Sequence, residues 1–250
     1  MNVLITLENT EGTEFVLPYH YQEYIQAFLY RLNDPEFGSF LHDVGYVHND
    51  RVFKLFSFSR ILEKPLKIIR EKHLFVFPET ISFMISTVEN PMLEALLKSI
   101  CQFHRAYYMG RYQVIITSVD LIPVSVSSDL VVRALSPVCI YSTATLPDGR
   151  KRTIYYAPQE RDFSELLRQN AIKKFQAYYH KEPQDDNLKV VPLGRTKEVV
   201  SYYKRFVIKG HLGRFRLTGS EELIKIVMEA GLGGKNSSGY GMVVLVDEMN

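Results

Sequence analysis

The chain has little cysteine. Cys101 and Cys139 are the only two in 250 residues, far apart and in no metal-binding pattern. Cys101 falls on a helical apolar face, which predicts a buried thiol. Tryptophan is absent; 15 Phe and 16 Tyr leave ample material for a core. No apolar run approaches the length of a membrane span, so no membrane partner is expected. Residues 1–8 lack a basic region and a signal-type apolar core, which predicts a cytoplasmic protein. The nucleotide loop Gly-x-Gly-x-x-Gly is missing. Gly234-Lys235 is followed by Asn236, and Glu229 stands where a phosphate loop needs its first glycine. No standard metal site is spelled out either: His42, Asp43 and His48 have the wrong spacing for one. Neither a metal nor another cofactor is expected.

Net charge is low, at +2, but unevenly spread. Residues 1–125 hold 11 Lys+Arg against 14 Asp+Glu, and residues 126–250 hold 19 against 14. An acidic partner is therefore expected on the second half.

Hydrophobic periodicity divides the chain into elements. Val3, Ile5 and Leu7 alternate as in a half-buried strand. Tyr21, Tyr24, Ile25, Phe28 and Leu32 then recur at helical spacing, ending at Asn33-Asp34-Pro35. Residues 36–51 read as a loop, and 52–62, 73–77 and 81–87 as strands. A helix opens at Asn90-Pro91, with Leu93, Leu96, Leu97, Ile100 and Cys101 on its face, and a strand follows over 112–122. The order β-α-β-β-α-β is that of a ferredoxin-like unit. After a polar joint at 125–129 the pattern restarts: a strand region over 130–142 broken near Pro137, and a hairpin turn at Asp148-Gly149. A helix follows over 161–180, then strands near 189–192, 198–209 and 213–218. A last helix carries Leu223, Ile226, Val227 and Ala230 behind a capping-box spacing, Thr218 to Glu221, and a strand begins at Met242. The predicted fold class is α+β, with two tandem ferredoxin-like (RRM-like) βαββαβ units, 1–125 and 126–250. No sequence repeat supports the duplication; element order alone does.

Between that last helix and strand lies the most concentrated composition in the chain. Gly231, Gly233, Gly234, Gly239 and Gly241 fall within eleven residues around Lys235-Asn236. Glycine at this density signals positive φ or close approach of the backbone to something. The order helix, loop, strand is the reverse of a phosphate loop, which places its anion on a helix N-terminus. The reading is a backbone surface for a polyanion. Residues 201–216 carry Lys204, Arg205, Lys209, Arg214 and Arg216, no acid and four aromatics. Arg150, Lys151 and Arg152 follow the hairpin turn. Cations that track phosphate, beside aromatics that stack on bases, form the expected footprint of RNA.

Three further residues could carry chemistry. Tyr30 lies on the side of the first helix away from its apolar stripe. His42 lies in the following loop and can take or give a proton near neutrality; His48 is an equal candidate by composition. Lys54 interrupts an aromatic row, Phe56 and Phe58, as a cation suited to phosphate.

Two stretches resemble a known family. Gly231-x-Gly-x-Lys235-Asn-x-x-Gly-x-Gly-Met-Val243 resembles the C-terminal motif of the CRISPR-associated endoribonucleases that cut repeat RNA, the Cas-six family of repeat-associated proteins. Leu29-Tyr30, Phe40-Leu-His42-x-x-Gly45 and Phe53-Lys54-Leu-Phe-x-x-Ser59 resemble that family's catalytic segment. The resemblance implies Tyr30, His42 and Lys54 as catalytic residues. It also implies metal-independent cleavage by the RNA's own 2′-hydroxyl, giving a 2′,3′-cyclic phosphate and a 5′-hydroxyl. In that chemistry His42 transfers a proton, Tyr30 the partner proton or an orienting contact, and Lys54 stabilises charge. Tyr46 to Arg51 is longer than the family pattern. The implied partners are CRISPR repeat RNA and other subunits of an effector complex. A homodimer and a non-cutting RNA-binding subunit stay open.

Overall fold

A computed structural model describes residues 2–32, 35–88, 90–101, 105–203 and 206–246. Lys204, Arg205, the helix end at Asn33-Asp34 and the side chains of Leu96, Ile100 and Cys101 lie outside the described residues.

The first unit runs β1 (Asn2–Asn9), α1 (Gln22–Leu32), β2 (Phe56–Phe58), β3 (Thr80–Thr87), α2 (Asn90–Cys101) and β4 (Tyr112–Ile122). Its antiparallel sheet has the order β2-β3-β1-β4, with Tyr107–Met109 added at the β4 edge. The second runs β5 (Asp129–Ala134), α3 (Arg161–Tyr179), β6 (Leu188–Tyr203), β7 (Phe206–Gly219), α4 (Glu221–Ala230) and β8 (Val243–Leu245). Its sheet has the order β6-β7-β5-β8, the same permutation as the first. The duplication inferred from element order is therefore present in sheet topology, and the fold is two ferredoxin-like units.

Each unit has its own core, built as the periodicity requires. Val3, Ile5 and Leu7 alternate inward from the centre of the first sheet and meet Ile25 and Phe28 of α1, all essentially fully buried. In the second, Phe163, Leu167 and Phe175 of α3 pack with Phe215 of β7 and Leu223 and Val227 of α4. The units join where β2 approaches the segment leading into β8. Ser57 Oγ lies 2.7 Å from Ser86 Oγ and 3.4 Å from Met242 Sδ, and the Leu135 amide donates to the Met242 carbonyl at 2.8 Å. Among the described residues, no helix is long and apolar enough to cross a membrane.

Several sequence expectations need correction. The strand expected over 52–62 is broken. Arg51–Phe53 pairs with Tyr46–His48 in a small hairpin, and β2 begins only at Phe56. Leu55 sits between them at φ 50°, and that left-handed residue turns the chain from hairpin to sheet. The strand expected over 198–209 contains a reversal. β6 and β7 form one long hairpin paired as far as Tyr203↔Phe206, with a register shift between Leu193 and Lys197. Nothing from Tyr203 to Phe206 is Gly, Pro, Asn or Asp, so the turn left no compositional mark. The capping box is not made: Thr218 remains in β7, and Ser220 caps α4 without a side-chain hydrogen bond.

Candidate active site and RNA interface

Residues 36–51, expected as a loop, are largely ordered into helical turns and a hairpin. Pro35–Ser39 is helical, and Phe40–Val44 forms a wide turn closed by the Gly45 amide on the Phe40 carbonyl at 2.8 Å. Wide turns of this kind recur at functional sites. Aromatic packing fixes this one. Phe37 stacks on Phe40, Phe40 meets Tyr46 edge-on, and Leu41 is buried in the first core. With Leu41 turned inward, the next side chain, His42, stands in solvent, 66% exposed.

Gly45 then lets the hairpin double back. Its φ is 68°, and a Cβ there would lie 2.6 Å from the Phe53 carbonyl and 3.0 Å from Lys54 Cδ. The residues longer than the family pattern are thus a hairpin that loops out and returns. Tyr46 packs edge-on against Tyr178 of α3, and the buried Leu55 enters the second unit's core.

Tyr30, His42 and Lys54 meet as a result. The Tyr30 and His42 rings are 5.6 Å apart at 82°, and Lys54 Nζ donates to the His42 carbonyl at 2.9 Å. Tyr30 is half-buried rather than wholly solvent-facing, because Phe56 and the 40–44 turn cover that side of α1. Partial burial lowers the Lys54 pKa, and the Asp43 carboxylate opposes that shift. His48 points elsewhere: its Nε2 pairs with Asn49 Nδ2 at 3.0 Å in the hairpin turn.

Asp43 is a residue sequence reasoning weighed only as a metal ligand. Its Oδ1 lies 2.6 Å from His42 Nδ1. A carboxylate can only accept, so Nδ1 carries the proton and Nε2 is left as the ring's acceptor.

The glycine loop lies beside this group, with Gln26 Nε2 of α1 donating to the Ser237 carbonyl at 2.5 Å. Its glycines face protein more than was expected. Gly231, Gly233, Gly239 and Gly241 are buried at positive φ. A Cβ would sit 2.4 Å from the Cys139 carbonyl at Gly233 and 2.1 Å from the Leu232 carbonyl at Gly241. At these four residues the backbone packs closely against protein. Asn236 is also buried and braces the loop through Nδ2 to the Tyr240 carbonyl at 3.0 Å. Gly234 is half-buried beside Tyr141, and Lys235 is exposed with its ammonium over the Tyr141 ring at 5.5 Å.

The loop is held from below by Lys174 of α3. Its ammonium is buried and donates to the carbonyls of Gly231 at 2.6 Å and Gly233 at 2.8 Å. Burial pushes its pKa down to about 7. The signal for it was present: Phe163, Leu167, Asn170 and Lys174 follow helical spacing, so two polar residues sit on an apolar stripe.

The candidate RNA-contacting cations divide into two groups. Arg216 makes a bidentate pair with Asp129 across the sheet, Lys209 lies 3.4 Å from Glu198, and Arg150 is bound to Asp148. The lack of acid within 201–216 therefore misled: carboxylates arrive from neighbouring strands. Lys151, Arg152 and Arg214 are exposed and, among the described residues, make no ion pair.

Two family profiles match the chain. One, described as CRISPR-associated protein Cas6, N-terminal, covers residues 16–106, and one described as CRISPR associated protein Cas6, C-terminal, covers residues 122–245. The CRISPR-associated endoribonuclease Cas6 1 of Methanocaldococcus jannaschii is 27% identical, over 98% of this chain and 94% of its own length. A putative CRISPR-associated endoribonuclease-like protein, Cas6nc of Pyrococcus horikoshii, is 26% identical over 76% of this chain and 79% of its own. In fold, a solved structure of a Cas6-related gene product from Pyrococcus furiosus superposes with TM-score 0.81 at 23% identity, covering 100% of this chain and 99% of that one.

Proposed function

The chain belongs to the Cas6 family of CRISPR-associated proteins, and from that premise we propose that it cuts CRISPR repeat RNA without a metal ion. The observation that carries the proposal is the meeting of Tyr30, His42 and Lys54, drawn from a helix, a wide turn and the residue after a hairpin.

The nucleophile is the RNA's 2′-hydroxyl. It attacks the adjacent phosphorus, the bond to the 5′ oxygen breaks, and the products end in a 2′,3′-cyclic phosphate and a 5′-hydroxyl. His42 Nε2, left as the ring's acceptor by the Asp43 contact on Nδ1, exchanges a proton with the reacting oxygens. Tyr30 supplies the partner proton or orients the ribose. The Lys54 ammonium stabilises charge growing on the phosphate. Lys151, Arg152, Arg214 and Lys235 follow the RNA backbone, while the buried glycines and Asn236 shape the loop that presents Lys235. The division at 1–125 and 126–250 then assigns the proton-transfer groups to the first unit and most of the RNA grip to the second.

The test is incubation of the purified protein with repeat RNA in excess EDTA, followed by end-group analysis. Cleavage should persist, leave a cyclic phosphate, and vanish when the cut-site ribose is 2′-deoxy. Loss of cutting on chelation, restored by magnesium or manganese, would overturn the mechanism. A repeat bound tightly but left whole would instead favour a non-cutting RNA-binding subunit.

A further inference from the structure

A cleft of about 360 Å³ runs along α1 beside the reacting pair. Glu23, Gln26, Ala27, Tyr30 and Arg31 line it at i, i+3, i+4, i+7 and i+8, a single helical face, and His42 completes the lining. Ala27, in the middle of that face, carries only a methyl, so the face is open there.

Tyr30 and His42 therefore share this cleft, but Lys54 does not. Lys54 lines a different cleft, between the hairpin and the glycine loop, and its Nζ is turned to the His42 carbonyl. The cation that shares a cleft with the reacting pair is Arg31. Its side chain is exposed and, among the described residues, makes no ion pair. Glu23, the carboxylate in the lining, stands two turns back, about 12 Å by helical rise. The cleft is thus polarised along α1, and its cationic end is the end that holds Tyr30 and His42. A cation in the last turn of a helix also offsets the helix dipole. That role needs neither the cleft nor a guanidinium.

We propose that Arg31 is a further catalytic residue, donating from α1 to a non-bridging oxygen of the scissile phosphate, on the opposite side from Lys54. The proposal rests on the reading of the chain as an RNA-cutting protein. Negative charge grows on those oxygens as the 2′ oxygen attacks, and donors already in place around them lower the barrier. A guanidinium suits the task because its N–H groups form a planar fork that matches phosphate oxygens. Arg31 stays protonated throughout. The proton leaving the 2′-hydroxyl and the proton reaching the 5′ oxygen pass through His42 and its partner.

The experiment uses the full chain and repeat RNAs with sulfur in place of one or the other non-bridging oxygen at the cut, the Rp and Sp forms. An all-oxygen RNA is the reference, and single-turnover rates are read in excess EDTA. Arg31→Ala should slow cutting of the all-oxygen RNA by about 10- to 100-fold, less than the loss of a buried oxyanion donor because the site is exposed. Arg31→Lys should recover part of that rate, since it keeps the charge and loses the fork. Affinity for 2′-deoxy RNA should fall far less than the rate. In wild type, the form whose sulfur faces Arg31 should be cut about three- to tenfold more slowly than the reference, the worth of one weakened hydrogen bond. Arg31→Ala should lose that penalty, and Lys54→Ala should keep it. An Arg31→Ala protein that cuts at the wild-type rate overturns the inference. So does a slow Arg31→Ala that keeps both sulfur penalties, which would leave Arg31 as a helix-end cation only. A wild type that binds these RNAs but cuts none of them would overturn the cleavage reading itself, and the inference with it.

Discussion

At His42 the proton is placed by a neighbour. Because Asp43 accepts from Nδ1 at 2.6 Å, removing its charge should leave the ring less well oriented. Both side chains are about two-thirds exposed, so the effect is modest. Asp43→Asn should slow single-turnover cleavage about tenfold, near the low end for a hydrogen bond to a charged group. His42→Ala should lose on the order of 10²–10⁴, the range for a general acid or base. Affinity for uncleaved RNA should hold in both, since the loss is confined to the transition state. His48→Ala should cut at close to the wild-type rate, because that ring is engaged with Asn49. A dead His48→Ala beside an active His42→Ala would reassign the histidine.

At the scale of elements, the hairpin between His42 and Lys54 depends on Gly45. An alanine there meets a φ of 68° and the Phe53 carbonyl at 2.6 Å. Gly45→Ala should cost about 1–3 kcal/mol in urea unfolding and slow cutting by shifting Lys54. Full activity with unchanged stability would show the hairpin to be irrelevant to the site. Gly45 itself was legible as a loop glycine, as were the helices, whose apolar stripes repeat over many residues. The break at Leu55 was not. Nothing marks a leucine for the left-handed region; its side chain is drawn there by burial in the other unit's core. Lys174 shows the same limit from the other side. Its spacing marked it as inward, but only the fold shows the carbonyls that it binds. The glycine loop was found for its composition, but its close packing against protein was not legible, because packing against protein and packing against RNA call for the same residue.

Across the whole molecule the basic excess of the second half is partly cancelled by pairing that the linear sequence hides. Arg214 and Arg216 stand two residues apart on β7, yet Arg216 is held by Asp129 and Arg214 is not. Arg214→Ala should reduce the salt slope of RNA binding by roughly 0.7, one counterion per phosphate contact, and Arg216→Ala by less. Equal changes in both would mean that RNA displaces Asp129. Lys174 bears on global stability. Its pKa is about 7 in the folded chain against 10.5 without burial. Below pH 7 folded and unfolded chains both carry the proton, and burial of the charge costs a constant amount. Between pH 7 and 10.5 the unfolded chain holds one proton more, so stability rises with pH by up to about 1.4 kcal/mol per unit. Lys174→Met lacks this component. Measured by urea unfolding, the stability of wild type relative to Lys174→Met should therefore grow by about 2.5 kcal/mol from pH 6.5 to pH 9. A difference that stays constant over that range would show that the Gly231 and Gly233 carbonyls keep the ammonium charged in spite of its burial, and that the glycine loop is anchored by a permanent cation.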